Sequence, residues 1–588
     1  MDNVFDFRNR LISEYSSFSR SFSKVAAQDI LSKVEGEYDR GRYWPEPLIQ
    51  INPNYKRQGT VQQLVQQGVL HAHCADIFRT GKPEGNSADL HLYVHQLQAL
   101  AKAQNRQSYV VTTGTGSGKS LAFFVPIIDR VLKAKAADPQ KRTRAIVIYP
   151  MNALANSQLE ELDKFLHGYP DDQKPFTVAR YTGQESETDR KQIADNPPDI
   201  LLTNFMMLEL ILTRFEDVDR RVVEHCQGLE FLVLDELHTY RGRQGADVAL
   251  LVRRLRERLQ AHQLVCIGTS ATMSSTGTQA DRNQTVATVA SLLFGAQITE
   301  HDVIGETLER VTNPAKNIQA VKSFLKPALL KERHQWPDFA AFSDDSLAVW
   351  VELSLGIELP VDEPPRRARP ITLGDAARRL ADDAQCTLEE ASAGLQRFLV
   401  AAHNVKTPQG RAPFAFKLHQ FISGPGKVLA TLEPEGVRHI TLDAQRYAPG
   451  RQDEGTQLYP VHFCRDCGQE YHPVWRTGQS QAEYAPREID DISGDDDENA
   501  RYGFLCPAKL GQTYRGSIED LPESWLDLTK AEPKVKSTYR KYVPEDIQVS
   551  PQGWQGRGGG DYWFIPGKFR FCLNCGQTHE VHGKDINR

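Results

Sequence analysis

A glycine-rich stretch at residues 113–120 is the strongest chemical signal in the sequence. Its glycines allow several backbone N–H groups to converge on phosphate oxygens, and Lys119 can reach the β- and γ-phosphates of a nucleotide. Ser120 can ligate the Mg²⁺ ion that accompanies those phosphates. A glycine-rich turn without a nucleotide is the alternative. The predicted ATP-binding residues of this loop are Thr113, Gly114, Thr115, Gly116, Ser117, Gly118, Lys119 and Ser120.

Two adjacent carboxylates, Asp235 and Glu236, follow the apolar run 231–234, and Asp235 lies 116 residues beyond Lys119. The run predicts a buried strand, and ligands of parallel sheets bind at the carboxyl ends of strands. We expect Asp235 to hold Mg²⁺ through water. Glu236 is expected to orient and deprotonate the water that attacks the γ-phosphate. Lys119, Asp235 and Glu236 are therefore the predicted catalytic residues.

Two further polar positions fit this chemistry. The turn Ser270-Ala271-Thr272 also ends an apolar run, and we predict that it couples hydrolysis to domain movement; a plain surface turn is the alternative. Upstream of the glycine-rich loop, Gln96 can recognise the adenine edge of ATP by paired hydrogen bonds. An ordinary position on a helix surface explains Gln96 nearly as well.

Three turns at predicted strand ends offer hydroxyl, amide and backbone N–H groups. Such groups suit contacts to a nucleic-acid phosphate backbone, which carry no base information. Ordinary structural turns are the alternative for each of them. The candidate nucleic-acid-binding residues are Pro150, Asn152, Thr182, Gly183, Thr203 and Asn204.

Four of the nine cysteines form two Cys-x-x-Cys-Gly pairs near the end of the sequence. In each pair the glycine permits a tight turn around a bound ion, and two such knuckles make a tetrahedral Zn²⁺ site. The 104 residues between the pairs form a long insertion. A redox pair or free buried thiols are the alternatives, and His462, His579 and His582 are possible substitute ligands. The predicted zinc ligands are Cys464, Cys467, Cys572 and Cys575.

The elements that must position these residues change along the chain. Residues 91–276 alternate short β-branched runs with helical runs, which predicts an α/β domain with a parallel, doubly wound sheet. Residues 1–90 are expected to form a helical leader domain. Residues 277–410 are predicted to be helical, either an ordinary bundle or a winged-helix-like domain. Residues 411–588 are predicted to form a β-rich module that contains the zinc site.

Composition limits the class of protein. The 588 residues carry a net charge of −6, which argues against a globally basic nucleic-acid coat but leaves room for a locally basic groove. Nine cysteines are too few for a disulfide scaffold. The longest apolar runs are far shorter than the ~20 residues that a membrane span needs, and the first residues do not resemble a secretory signal. We therefore expect a cytoplasmic protein without a membrane partner.

In this order the motifs resemble those of superfamily 2 helicases of the DExH type. The segment 235–248, with Arg253-Arg254-Leu255 after it, is similar to the MrfA/Lhr-like branch, which includes bacterial repair helicases and large helicases of anti-phage systems such as DISARM and Druantia. The resemblance is specific over residues 91–276. It implies a RecA-like domain in a bacterial cytoplasmic protein, with ATP and Mg²⁺ as cofactors. It also implies 3′–5′ translocation on single-stranded or partly duplex DNA.

One departure from the family pattern affects the expected activity. A helicase of this class needs a second RecA-like domain with an arginine finger, and the segment 446–451 matches that motif poorly. We therefore expect the N-terminal motor half of a larger or split protein, which hydrolyses ATP poorly without a polypeptide that carries the second RecA-like domain. A translocase without strand separation is the alternative among enzymes. A nucleotide-gated DNA-docking subunit, working with other subunits of a defence system, is the alternative of a different class.

Overall fold

The apolar runs that precede the candidate site residues form one parallel sheet in the computed structural model of the chain. Its seven strands, in chain order, are β1 (Tyr109–Thr112), β2 (Ala145–Tyr149), β3 (Val178–Tyr181), β4 (Ile200–Asn204), β5 (Phe231–Leu234), β6 (Val265–Ser270) and β7 (Val303–Gly305). Across the sheet their order is β7-β1-β6-β5-β2-β4-β3, and every neighbouring pair is parallel. The strands β1, β6 and β5 are therefore neighbours, and their carboxyl ends lie side by side.

Both faces of this sheet are buried. Along β1, Tyr109 and Val111 belong to one apolar core and Val110 belongs to the other, because successive side chains of a strand point to opposite faces. The helices that supply these cores are α1 (Val94–Gln104), α2 (Leu121–Ala137), α3 (Asn152–Leu166), α4 (Glu187–Asp195), α5 (Phe205–Thr213), α6 (Asp217–His225), α7 (Gly242–Arg258) and α8 (Gln279–Phe294). The predicted doubly wound α/β fold is confirmed.

The structure describes most but not all of the chain. The described residues are 3–21, 24–114, 116–270, 278–360, 363–408, 410–424, 426–478, 481–491, 500–529, 532–556 and 558–579. Three predicted site residues, Thr115, Ala271 and Thr272, and the candidate ligand His582 lie outside the described residues. Within the described ranges, no helix is long and apolar enough to cross a membrane.

The sheet extends beyond the boundaries expected from the sequence. Strand β7 and helix α8 lie after residue 276 and pack against β1, because the chain returns to the sheet once more. On the other side, buried side chains of residues 61–78, including Val61, Leu70 and Phe78, belong to the same core as β1. The expected leader domain 1–90 is therefore divided in the structure, and its second half packs with the sheet.

The region after β7 is helical, as expected. Its helices are Ile318–Leu329, Phe339–Ser343, Ser346–Val351, Leu373–Ala384 and Leu388–His403, with a π-helical turn at Glu352–Gly356. Thr387 and Glu390 form a reciprocal capping box at the start of the helix Leu388–His403. A two-stranded ribbon, Ile357–Glu358 with Arg366–Arg367, interrupts the helices.

The C-terminal region forms a second, antiparallel sheet of eight strands. They are β8 (Val428–Ala430), β9 (Ile440–Thr441), β10 (Tyr459–Phe463), β11 (Glu470–Thr477), β12 (Glu483–Pro486), β13 (Ala500–Pro507), β14 (Glu545–Val549) and β15 (Gly560–Pro566). The order is β9-β8-β10-β11-β13-β15-β14, and β12 pairs with β11. The predicted β-rich character of this region is confirmed.

The two N-terminal helices, Val4–Ser21 and Gln28–Asp39, belong with this second sheet. Ala27 and Ile30 share an apolar core with strands β8 and β10, and Asp29 accepts two hydrogen bonds from Arg438, each 2.8 Å long. The chain therefore forms two compact units. The larger unit comprises Gln50–Ile371 and Ala376–Lys417, and the terminal unit comprises Met1–Ile49, Thr372–Asp375 and Leu418–Arg588.

Candidate functional site

The glycine-rich loop lies between the end of β1 and the start of α2, as the sequence predicts. Gly116 and Gly118 have φ values of 79° and 66°, a left-handed conformation that favours glycine. The hydroxyls of Thr113 and Ser117 are buried and 2.6 Å apart, which ties the two ends of the loop together. Ser120 has helical dihedral angles at the start of α2, and its hydroxyl caps no N–H of that helix. The loop therefore has the strand–loop–helix form of a phosphate-binding P-loop.

Two residues of α1 contact backbone carbonyl groups of this loop. Gln96 accepts a hydrogen bond from the Tyr93 N–H at 2.8 Å and donates to the Gly118 carbonyl at 2.9 Å, so its amide is already held against the loop. His95 is fully buried, and its Nε2 lies 3.0 Å from the Ser117 carbonyl oxygen. Burial lowers the pKa of His95, which favours the neutral imidazole. The adenine contact of Gln96 stays a prediction, and the sequence analysis did not single out His95.

The carboxylates after β5 lie opposite the P-loop lysine. Lys119 Nζ donates a hydrogen bond to Glu236 Oε1 at 3.2 Å. The hydroxyl of Thr269, on the neighbouring strand β6, donates to Asp235 and accepts from the Glu236 N–H at 3.1 Å. The three predicted catalytic residues are therefore brought into one site, and Thr269, which the sequence analysis did not single out, holds the two carboxylates in place.

Burial and backbone geometry prepare these carboxylates for different roles. Burial raises the pKa of Asp235, an effect that the Thr269 hydrogen bond opposes and the neighbouring charge of Glu236 reinforces. A divalent cation would relieve that cost by supplying opposite charge. Glu236 has a φ of 53°, a left-handed conformation that costs a non-glycine residue about 1–2 kcal/mol. The hydrogen bond to Thr269 fixes this conformation, which directs the Glu236 side chain towards Lys119.

A second connection links Glu236 to the end of β6. His238 Nδ1 lies 3.2 Å from Glu236 Oε2 and 3.5 Å from the hydroxyl of Ser270. Ser270 itself is fully buried at the last position of β6. The predicted coupling turn therefore begins within reach of the candidate general base, and His238 is a further site residue that sequence reasoning missed.

The predicted phosphate-contact turns lie at the carboxyl ends of β2, β3 and β4, along the same edge of the sheet as the catalytic residues. Asn204 donates hydrogen bonds to Asn152 Oδ1 at 2.7 Å and to the Thr182 carbonyl at 3.0 Å. Pro150 directly follows strand β2 and lies two residues before Asn152 in the sequence. Thr203 is fully buried and its hydroxyl donates to the Tyr181 carbonyl at 2.6 Å, so it joins two strands and lies out of reach of a surface ligand.

A carboxylate already occupies the backbone donors of one turn. The N–H groups of Thr182 and Gly183 donate to Glu185 Oε2 at 2.7 and 2.9 Å. Burial raises the pKa of Glu185, but hydrogen bonds from Thr182 and Arg180 outweigh it and hold the pKa below its usual range. A phosphate that used these donors would have to displace an ionised side chain.

The four predicted zinc ligands lie together in the terminal unit. Their sulfur atoms all lie within 4.8 Å of one another. Cys464 Sγ is 3.9 Å from Cys575 Sγ, and Cys467 Sγ is 3.6 Å from Cys572 Sγ. A tetrahedral site with Zn–S bonds of about 2.3 Å has sulfur–sulfur edges of about 3.8 Å. The geometry therefore fits one Zn²⁺ ion bound by all four thiolates.

The two knuckles have the same backbone design. In the first, the Cys464 N–H donates to the Gln469 carbonyl, and in the second the Cys572 N–H donates to the Gln577 carbonyl, both at 2.9 Å. Gly468 and Gly576 have φ values of 79° and 71°, which the tight turns require. The hydroxyl of Tyr471 donates to Cys572 Sγ at 3.1 Å and so supports one ligand from outside the cluster.

The alternative ligands have different positions. His579 belongs to a smaller group with Cys464 and Asp466, whose ligand atoms also lie within 4.8 Å of one another. His462 lies on β10 and belongs to none of the clusters found among the described residues. The four-cysteine arrangement is the better fit, because it alone supplies a complete tetrahedral set.

Comparison with known proteins agrees with this geometry. The DEAD/DEAH box helicase family matches residues 93–280, which contain the P-loop, both carboxylates and the Ser270 turn. The chain carries a DEAD/DEAH box helicase domain. It has RecA-like architecture, with the parallel sheet and helices described above.

Relatives of the helicase domain include three bacterial proteins. The uncharacterized ATP-dependent helicase YprA of Bacillus subtilis is 33% identical over 186 residues, which are 31% of this chain and 23% of YprA. The Lhr helicase/uracil glycosylase of Escherichia coli is 32% identical over 193 residues, covering 31% of this chain and 12% of Lhr. The Druantia protein DruE of Escherichia coli is 26% identical over 293 residues, covering 31% of this chain and 16% of DruE.

These relatives confirm the resemblance inferred from the motifs. The helicase domain is of the superfamily 2 type and is similar to the Lhr-like branch. The match covers less than a quarter of each of the three relatives. The chain therefore spans only a small part of the length of these relatives.

Proposed function

We propose that the chain is the ATP-binding motor half of an ATP-dependent helicase or translocase that acts on single-stranded DNA. The main support for this proposal is the contact between Lys119 and Glu236. It places the cation that would bind the phosphates, Lys119, next to the base that would activate water, Glu236. ATP with Mg²⁺ would bind the P-loop from Gly116 to Ser120. Asp235 and Ser120 would hold the metal ion, and the ion would neutralise charge on the phosphates.

The Lys119–Glu236 ion pair describes a resting state in this mechanism. When ATP binds, Lys119 exchanges Glu236 for phosphate oxygens, and Glu236 becomes free to accept a proton from water. His238 lies close enough to hold the released carboxylate in orientation. His238 also lies near Ser270. A change in the charge of Glu236 would therefore act through His238 on the end of β6, which is a physical route for the proposed coupling.

A second RecA-like domain is part of the proposal. Arginine fingers contribute about 10³–10⁵ to the rate of phosphate transfer. The larger sheet of the terminal unit is antiparallel, so that unit is not a second RecA-like domain. We propose that a downstream or partner polypeptide supplies the finger. We also propose a bacterial setting in DNA repair or anti-phage defence, and the similarity to the Druantia protein DruE of Escherichia coli supports the second of these roles.

The turn cluster around Asn152, Thr182 and Asn204 is the proposed DNA contact. Its amides and hydroxyls suit phosphate oxygens, and Gly183, with a φ of 89°, allows a backbone to approach closely. In this proposal Glu185 holds the turn until a DNA phosphate takes over its donors. The four-cysteine Zn²⁺ site keeps a structural role, because four protein ligands leave no open position for substrate.

ATPase assays test the proposal. We expect weak ATP hydrolysis by the chain alone, stimulation by single-stranded DNA, and a large further increase when a polypeptide with the second RecA-like domain is added. Lys119→Ala removes the principal phosphate-binding cation and should abolish ATP binding. Normal ATP binding by this variant would refute the P-loop assignment.

The same assays separate the second candidate function. A nucleotide-gated DNA-docking subunit would bind ATP and DNA but show no hydrolysis with any added domain. The preserved pair Asp235 and Glu236 favours the motor. DNA binding that depends on ATP, together with no hydrolysis in the completed complex, would favour docking.

A further inference from the structure

The first glycine of the P-loop has an unusual environment. Gly116 and Gly118 need glycine because of their left-handed backbone, but Gly114 has no such conformation. A Cβ atom at residue 114 would instead lie 2.6 Å from Nη2 and 2.7 Å from Cζ of Arg367. Glycine at this position therefore leaves room for the close approach of a guanidinium group that comes from 253 residues further along the chain.

A carboxylate lies on the same glycine. The Gly114 N–H donates to Glu306 Oε2 at 3.1 Å, and Glu306 directly follows strand β7 at the edge of the sheet. The same oxygen lies 3.4 Å from Arg367 Nη2. Gly114 is thus held between a carboxylate and the cation that pairs with it, and both side chains are mostly buried, with 19% and 14% of their surface exposed.

Arg367 is fixed in this position by further partners. Its Nη1 donates to Asn52 Oδ1 at 2.8 Å, its Nη2 donates to the Tyr55 hydroxyl, and its guanidinium lies 5.8 Å from the centre of the Tyr55 ring. Tyr55 in turn packs edge-on against His95, which lies against the Ser117 carbonyl. One connected group of side chains, Arg367, Tyr55 and His95, therefore contacts the P-loop at both Gly114 and Ser117.

The charges at this point have a consequence for ATP. A carboxylate that holds a P-loop N–H stabilises the loop, but it also repels an incoming triphosphate. We propose that Arg367 is a positioning residue for ATP binding: it neutralises Glu306, so that this carboxylate can fix the start of the P-loop without repelling the nucleotide. The inference rests on the proposed ATP site and extends it to the ribbon Ile357–Glu358/Arg366–Arg367, which lies outside the family match.

The test is a double-mutant cycle measured with a fluorescent ATP analogue on the full chain. Arg367→Ala leaves Glu306 uncompensated, and we expect it to weaken ATP binding about tenfold, which corresponds to about 1.4 kcal/mol. Glu306→Gln alone should change the affinity by less than about threefold. The double variant should bind almost as well as the unaltered chain, because no unpaired charge remains.

Controls identify the physical cause. Arg366→Ala changes the neighbouring residue, which is 43% exposed and pairs with Glu358, and should leave ATP affinity unchanged. Arg367→Lys keeps the charge and should retain most of the affinity. The loss in Arg367→Ala should be larger for ATP than for ADP, should be absent for adenosine and should shrink at high salt, whereas a folding defect would affect all ligands and lower the melting temperature.

Three outcomes would overturn the inference. Unchanged ATP affinity in Arg367→Ala would show that the cation has no role in binding. A double variant as weak as Arg367→Ala would show that Arg367 does not act through Glu306. If the unaltered chain binds ATP no better than Lys119→Ala, the proposed function itself is wrong and the inference falls with it. The first two results leave the proposed function intact.

Discussion

Replacement of Glu236 by glutamine should separate ATP binding from ATP hydrolysis. In the structure Glu236 pairs with Lys119, and their side chains are only 26% and 15% exposed. ATP must break this ion pair before Lys119 can reach its phosphates. Glutamine keeps the shape and a weaker hydrogen bond but removes the charge, so less free energy is lost when ATP binds.

The magnitude follows from the burial of the pair. Exposed ion pairs contribute about 0–1 kcal/mol, and hydrogen bonds to charged groups contribute about 1.5–3 kcal/mol. Because the glutamine amide can still accept a hydrogen bond from Lys119, we take a difference of about 1 kcal/mol. ATP should therefore bind roughly fivefold more tightly to Glu236→Gln. Hydrolysis should fall by about 10²–10⁴, because an amide cannot take a proton from water.

Equilibrium titration with ATP and a phosphate-release assay give the two numbers. The matched control is Glu161→Gln, which removes a carboxylate from an exposed pair with Lys164 and should change neither quantity. Weaker ATP binding in Glu236→Gln would refute the interpretation of the ion pair as a resting state. Hydrolysis at the unaltered rate would refute Glu236 as the general base.

Three other predictions concern the zinc site, the terminal unit and DNA. Cys572→Ser should lose the Zn²⁺ measured by metal analysis and make residues 460–579 sensitive to protease, without a change in ATP affinity. The control Cys386→Ser should keep both the metal and the protease resistance. Zinc-free protein with a protease-resistant C-terminal region would contradict this prediction. Burial raises the pKa of Asp29, but hydrogen bonds from Arg438 and the Gly436 N–H outweigh it and lower the pKa to about 2. The depressed value stabilises the fold by about 2 kcal/mol above pH 4, a contribution lost as the pH falls from about 4 to 2. Asp29→Asn should therefore lower the melting temperature at pH 7 but not at pH 2, and an equal effect at both values would exclude this origin. Single-stranded DNA affinity should fall with salt at a log–log slope near −0.7 per phosphate contact, and a salt-insensitive affinity would exclude the proposed turns.

The predictions that the structure bears out rest on local patterns. Strand, glycine-rich loop and helix follow one another at residues 109–137, so chain connectivity alone brings Lys119 to the end of β1. The short β-branched runs within residues 91–276 indicate strands for the same reason, because each run is continuous in the sequence. The cysteine knuckles are also local, because each requires only five consecutive residues. Strand β7 was missed because it is only three residues long and lies beyond a helix that resembles the helical region after it.

Contacts between distant segments could not be predicted in the same way. Thr269 reaches Asp235 because β5 and β6 are neighbours in the sheet. The order of strands in a sheet cannot be predicted from the sequence of any single strand. Glu306 and Arg367 meet Gly114 from separate segments that share no motif with the P-loop. The division of the leader region also follows from packing, because the apolar faces around Ile30 and Val61 belong to different cores.

The terminal unit has consequences for the order in which the protein can acquire its structure during synthesis. Its first helices, Val4–Ser21 and Gln28–Asp39, pack on strands that begin at Val428, and the larger unit is encoded between them. At about 5–20 residues per second, a ribosome needs roughly 20–80 s to produce the intervening chain. The apolar faces of those helices remain without their partner strands throughout that interval, and the second cysteine knuckle appears later still. The helicase domain can therefore fold on the nascent chain first, whereas the terminal unit can be completed, and its metal bound by all four thiolates, only after Cys575 has been synthesised.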